Sequence, residues 1–264
     1  MLPARLEPAE IAGWRDTWSA APEALRARFG IAHLDHHGVL ATTVTTLVNS
    51  LTTHVLGLGG GAPPDPGALE AVEGFCRDHG VPAVLALPDG APAEAALQAR
   101  GYVRTHPWIK FVRDIGPAAR VDCELAIRPV AGGESARMGQ VIAGAFGVPR
   151  ELSPWFAALV GRPGWHCLGA YDGAELVATG GLWVHGDTGW LTWGATEAAH
   201  RGRRAQKALL AARIELGRDL DLRLLVTETG DRGPGRTDNS YRNILGAGFR
   251  IAYRRPFWTR ELSS

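Results

Sequence analysis

The chain has 264 residues, 45% of them hydrophobic, which is enough to bury a full core and by size makes one large domain or two small ones. Its 28 Lys and Arg stand against 27 Asp and Glu, and a net charge of +1 gives no footing for general binding to nucleic acid or to an anionic membrane, so any phosphate ligand must be held locally. No run approaches the roughly 18 apolar residues of a spanning helix, MLPARLEPAE lacks a signal-peptide core, and Cys76, Cys123 and Cys167 lie far apart, so the expectation is a cytoplasmic protein with reduced cysteines.

In chain order, the first half opens with a helix predicted around Pro8 to Phe29, followed by strands in GVLATTVTTLV and TTHVLGLGGG, whose β-branched and apolar content favours extended backbone. PDPGALEAVEGFCRDHG reads as a helix with proline and aspartate at its start and glycine after its end, and PAVLALP as a short buried strand. APAEAALQARG supplies another helix, and YVRTHPWIKFVRDI closes the half as a strand before a linker near Gly116 to Asp122. His33, His36 and His37, in HLDHHG, read as loop histidines without a clustered partner, so no metal is expected.

The second half begins with the strand ELAIRPV, the helix ESARMGQVIAGAFG and a shorter helix in LSPWFAALVG. Three strands then follow, punctuated by Asp172-Gly173 and Gly186-Asp187, dipeptides that favour tight antiparallel connections. After AAHRGRRAQKALLAAR come the strand LRLLVTET, the helix DNSYRNILGAG and the last strand FRIAYRRPFW. An antiparallel meander joined to strand-helix-strand crossovers predicts one mixed α/β sheet with helices on both faces. The tails ALQARGYVRTHPW and ILGAGFRIAYRRPFW also resemble each other, which favours a duplication with segments 1–116 and 123–264 as the two units.

Ala208, Leu209, Ala212 and Leu216 fall at helical spacing, so Arg201 to Arg204 form the entry turn of a helix beginning at Ala205. Such a turn leaves backbone N–H groups without helical partners at the positive end of the helix dipole, the makings of an anion site. Read from these residues alone, it is either that or a basic surface turn.

These residues reach a known family: over Glu124 to Trp258 the second half resembles the GNAT superfamily of N-acetyltransferases. In that family a central strand, here GWLTWGAT, ends in a bulge, and a loop of form R/Q-x-x-G-x-G/A opens the helix that cradles the acetyl-CoA pyrophosphate. Here the loop is Arg201-Gly202-Arg203-Arg204-Ala205-Gln206, which matches at its first position and carries Arg204 and Gln206 at the two later small-residue positions. The resemblance implies acetyl-CoA or another acyl-CoA as cofactor. It also implies phosphate contacts from the loop, with Arg201 and Arg203 adding charge, and backbone donors at Ala195 and Thr196 for the thioester oxygen. Asn239, Ser240 and Asn243 are either contacts to the cofactor's arm or helix caps. Ile244 stands where many relatives carry the tyrosine that protonates the departing thiolate. Tyr241, one turn earlier, either takes that role or packs as a core aromatic. The first half resembles a truncated, altered copy of the same fold; prolines in APPDPG remove amide donors, so it is expected to wall the acceptor pocket or support the sheet.

Transfer to an amine needs a proton acceptor, because a lysine-like amine has a pKa of about 10.4. Glu228, at the carboxyl end of a strand, is the first choice, with Glu197 and the turn residues His185 and Asp187 behind it; each is otherwise a solvated loop group. Trp183, Trp190 and Trp193 are candidates for an apolar acceptor face. Two functions follow: an N-acyltransferase acting on a small-molecule, amino-acid or peptide amine, as a monomer or homodimer, or a non-catalytic acyl-CoA or metabolite sensor.

Overall fold

The computed structural model describes residues 2–58, 65–231 and 239–262. Helix α1 (Leu2–Ser19) and helix α2 (Glu23–Phe29) replace the single helix predicted at the start. The break falls at Pro22, which caps α2 but cannot continue the preceding helix, and Gly30 closes α2 in a left-handed conformation (φ 64°). Strand β1 (Ile31–His36) takes up the histidines expected in a loop and turns through His37 and Gly38 into β2 (Val39–Val44). Strand β3 (His54–Leu56) follows, and the stretch 59–64, with part of the proline-rich loop, lies outside the described residues. Asp65 accepts from the Gly67 amide and Pro66 sits at the first turn of α3 (Pro66–Asp78). Strand β4 (Ala83–Ala86), helix α4 (Glu94–Ala99) and strand β5 (Val103–Asp114) complete the first half.

The second half runs through β6 (Ala126–Pro129), α5 (Ser135–Phe146) and α6 (Ser153–Ala157). The meander β7 (Trp165–Asp172), β8 (Glu175–His185) and β9 (Thr188–Thr196) turns at Gly173 and Gly186, both at positive φ, where the sequence placed tight connections. Helix α7 (Ala205–Asp219), strand β10 (Leu224–Gly230), helix α8 (Asn239–Gly246) and strand β11 (Arg250–Arg260) end the chain; Asp238 lies outside the described residues.

Among the described residues, eleven strands form one mixed sheet in the order β1-β2-β3-β4-β11-β5-β10-β9-β8-β7-β6. The two segments are joined by an exchange of last strands. β11, from the second, pairs antiparallel with β4, while β5, from the first, pairs antiparallel with β10. The similar tails thus lie side by side at the centre, with Pro107 opposite Pro256 and Trp108 opposite Arg255. Opposed prolines cost no ladder bond that either could have donated, and the register shifts beside them.

One face of the sheet is covered by α1, α5 and α6, which bury Trp14, Trp18, Met138, Trp155 and Phe156 against Trp190 and Trp193. On the opposite face, α7 and α8 close over Ile109, Phe111, Leu191 and Leu225, while α3 and α4 cover β2 to β4. Consecutive residues such as Trp190 and Leu191 enter opposite cores, as strand alternation requires.

Candidate functional site

Strands β9 and β10 run parallel only through Leu224 opposite Thr188, Leu225 opposite Gly189 and Val226 opposite Trp190. Beyond that point they part, held briefly by Thr227 Oγ1 donating to the Leu191 carbonyl at 2.8 Å. A parting of parallel strands at their carboxyl ends opens a crevice in which ligands commonly sit. Two cavities occupy it, of about 470 and 750 Å³. They share Phe146, Gly194, Gln206, Ser240 and Asn243.

The larger cavity is built on the entry turn of α7. Ala208 N–H to Arg204 carbonyl is the first bond of the helix, so the amides of Ala205, Gln206 and Lys207 have no helical carbonyl behind them and lie beside the space. Arg204 takes φ 62° and Gly202 φ 85°. The position where the family pattern carries glycine thus keeps a glycine-like backbone, with the Arg204 side chain turned outward toward Asp122. Gln206 does the reverse. Its side-chain amide donates to the Ala195 and Thr179 carbonyls at 2.8 and 3.1 Å and to Thr196 Oγ1 at 3.0 Å, pinning the helix start to the strand ends. It fits because Gly194 has no side chain; a Cβ there would lie 2.8 Å from Gln206 Oε1.

Arg201, Asn239, Ser240 and Asn243 reach this cavity as the sequence led one to expect, and His200, Lys207 and Arg242, not singled out from sequence, join them. Arg203 does not. Its guanidinium is engaged by Asp172, away from the cavity lining, because the turn points it toward the β7–β8 connection. The bulge of β9 also falls earlier than expected. Thr179 pairs with Ala195 and Gly181 with Thr192, so Trp193, at φ 51°, and Gly194 together oppose Gly180, while Ala195 and Thr196 are back in register with β8.

The smaller cavity holds the acid. Glu228, its side chain 9% exposed, accepts from Trp190 Nε1 at 2.9 and 3.0 Å and from Lys110 Nζ at 3.1 Å. Lys110 is fully buried and donates also to Glu10 at 2.6 Å. Glu10 in turn receives both terminal nitrogens of the buried Arg255, and Glu7 lies 3.6 Å from the same guanidinium. Three carboxylates thus share two buried cations. Burial favours the neutral form of Glu10, but Arg255 and Lys110 outweigh it and hold its carboxyl far below the ordinary value. Burial and the neighbouring Glu10 charge push Glu228 upward, beyond what Lys110 and Arg255 offset, and burial also raises Glu7. The proton that the network can spare therefore belongs at its ends, and one end faces the cavity.

Glu197 and Tyr241 lie elsewhere. Glu197 is bound by Arg137 at 2.7 Å, with His200 at 3.7 Å, and lines neither cavity. Tyr241 sits on the sheet-facing side of α8, its ring centroid 5.7 Å from that of Phe111 in an edge-on contact, and lines neither cavity. Of the tryptophans named from sequence, Trp193 lines the smaller cavity; Trp190 buttresses Glu228 from the core, and Trp183 packs on Trp165. His185 and Asp187 stay in the β8–β9 turn, where Asp187 meets Arg223.

No family profile matches the chain, and no curated protein matches it either. Its structural likenesses are extensive. A GCN5-related N-acetyltransferase from Sphaerobacter thermophilus superposes with a TM-score of 0.63 at 14% identity, covering 92% of this chain and 85% of that one. Another from Kribbella flavida gives 0.59 at 14%, covering 92% and 94%. A tandem GNAT protein from the clavulanic acid biosynthesis pathway gives 0.59 at 15%, covering 96% and 95%. The molecule therefore has the fold of the GCN5-related N-acetyltransferases, over nearly its whole length.

Proposed function

We propose that the protein is an acyl-CoA-dependent N-acyltransferase that passes an acetyl or related acyl group from the thioester to a primary amine of a small molecule. The observation that carries this reading is the meeting of the two cavities at the parting of β9 and β10, one with an anion-binding helix start and the other with a buried acid. The residues of the larger cavity suit a CoA molecule. Free amides at Ala205 to Lys207 and the cations Arg201, Lys207 and Arg242 match a pyrophosphate, and Ser240 and Asn243 match the polar arm that leads inward.

A bound acyl-CoA would supply the activated acyl carbon. Glu228 takes a proton from the entering ammonium, so that the neutral amine meets the thioester; attack would form the carbon–nitrogen bond, break the carbon–sulfur bond and release the nitrogen's second surplus proton to solvent. Such a base contributes roughly 10²- to 10⁴-fold. In this reading the amides at the Trp193–Gly194 bulge, on the strand edge that β10 no longer covers, stabilise the developing oxyanion. The thiolate then leaves and takes its proton from solvent, and Tyr241, which lines neither cavity, has no part in the step.

Calorimetric titration with acetyl-CoA and CoA, followed by thiol release with a mixed amine panel, tests the reading. Micromolar binding with amine-dependent release is expected. Binding without release from any amine would leave the sensor reading, and no binding would remove the cofactor.

A further inference from the structure

The smaller cavity says more about the acceptor than that it is an amine. Its apolar lining comes from both segments: Trp14 on α1, Leu51 before β3 and Trp108 on β5 from one, Phe146 and Trp193 from the other. Glu228 and Arg213 are the only charged groups among its described lining residues. Arg213 is already committed. Its Nε donates to the Leu209 carbonyl at 3.0 Å and one terminal nitrogen to the Gly181 and Thr192 carbonyls at 3.1 and 3.2 Å, so it serves as a strut between α7 and the bulged strand.

Three other polar side chains of the wall are spent in the same way. The Thr227 hydroxyl holds the Leu191 carbonyl, the Gln206 amide holds Ala195, and Asn49 Oδ1 accepts from the Leu51 and Thr52 amides. The one acid of the wall, Glu228, is thus set among the rings of Trp14, Trp108, Phe146 and Trp193, with the short polar side chains Ser50, Thr229, Ser240 and Asn243 beside them. A cation is attracted both by the carboxylate and by the negative faces of the rings, and an apolar body gains by covering the remainder.

We infer that the acceptor is an arylalkylamine: a single primary ammonium on a short arm attached to an uncharged aromatic body. The inference rests on the transferase reading above. An α-amino acid brings a carboxylate for which the wall has no uncommitted cation, and an aminoglycoside brings several ammonium and hydroxyl groups for which it has one acid and few open partners. The ring lies against Trp108 and Phe146, and the ammonium meets Glu228 within the smaller cavity. The first segment thus acts as a selector, since Trp14, Leu51 and Trp108 all come from it.

Equilibrium titration separates this inference from the chemistry. Phenethylamine, phenylalanine, n-hexylamine and an aminoglycoside are titrated into the protein saturated with CoA, which cannot transfer, and the same four are then assayed with acetyl-CoA. Phenethylamine should bind about tenfold or more tighter than phenylalanine and the aminoglycoside, and several-fold tighter than hexylamine. Trp108→Leu, at a half-buried position, and Phe146→Ala, at an exposed one, should each erase the preference for the ring over hexylamine. Equal binding of phenethylamine and phenylalanine, or an unchanged ring preference in both variants, overturns the arylalkylamine assignment even if acyl transfer to another amine proceeds. Selective phenethylamine binding with no transfer to any amine upholds the pocket and removes the transferase reading instead.

Discussion

Replacing Glu10 by glutamine tests the buried charge network at its most connected point. The side chain keeps its shape, but Lys110 Nζ at 2.6 Å and the two Arg255 nitrogens lose the carboxylate that neutralises them. Breaking one partner of a buried ion pair leaves charge uncompensated at a cost of about 3–5 kcal/mol. With a urea dependence of about 2–3 kcal/mol per molar for a chain of this size, the unfolding midpoint should fall by roughly 1–2.5 M. The sign of the pH dependence follows from the depressed carboxyl. Glu10 contributes stability above its ordinary value of 4.5, and that contribution fades as pH falls through 4.5 toward the folded-state value. The gap between wild type and Glu10→Gln should thus be full at pH 7 and close progressively below about pH 4.5. Glu228 and Glu7, raised by burial, work in the opposite direction, losing stability as pH climbs from 4.5 through their folded values. A second readout is kinetic: the Glu10 charge is one cause of the raised Glu228, so its removal should move the acidic limb of the pH–rate profile to lower pH. A midpoint unchanged at pH 7, or a gap that does not narrow in acid, would refute the reasoning.

Glu228→Gln should cut kcat/KM by about 10²- to 10⁴-fold and flatten the acidic limb while CoA affinity, measured by calorimetry, stays within a factor of about two. Arg204→Gly should raise stability by up to about 1 kcal/mol in thermal unfolding, because the left-handed conformation costs arginine about 1–2 kcal/mol and glycine's added freedom when unfolded returns part of it. The double substitution Arg201→Ala with Lys207→Ala should weaken CoA binding by more than about tenfold, whereas Arg203→Ala, which loses only its exposed pairing with Asp172, should leave it unchanged. Tyr241→Phe should leave kcat within about twofold in steady-state assays, since the ring's packing on Phe111 survives the loss of the hydroxyl.

Much of this was legible in local pattern. The Asp-Gly and Gly-Asp turns, the helix start at Ala205 and the acid at the end of LRLLVTET follow from turn chemistry and periodicity, which are short-range properties. For Tyr241 and Glu197 the sequence left two roles open, because which one holds depends on the side of an element that faces the crevice, and one residue of rotation decides that. The bulge at Trp193–Gly194 shifts the facing of everything after it. The strand exchange was out of reach: similar tails suggested duplication, but nothing local says that each tail pairs across the molecule. Lys110 did leave a trace, a lone charge in the apolar run WIKFV, which could have been read as a buried ion needing partners. Glu10 and Glu228 supply them from 100 positions earlier and 118 later, a pairing that only the folded sheet brings together.

The central claim is that donor and acceptor occupy adjoining cavities that meet beside Gly194 and Ser240. A conjugate in which phenethylamine is joined through an acetyl bridge to the CoA sulfur spans both, and its dissociation constant, measured by calorimetry against CoA alone, tests the claim directly. The account predicts binding about 10²-fold or more tighter than CoA, because the second cavity is engaged without a second loss of translational freedom. A conjugate that binds no better than CoA would contradict it.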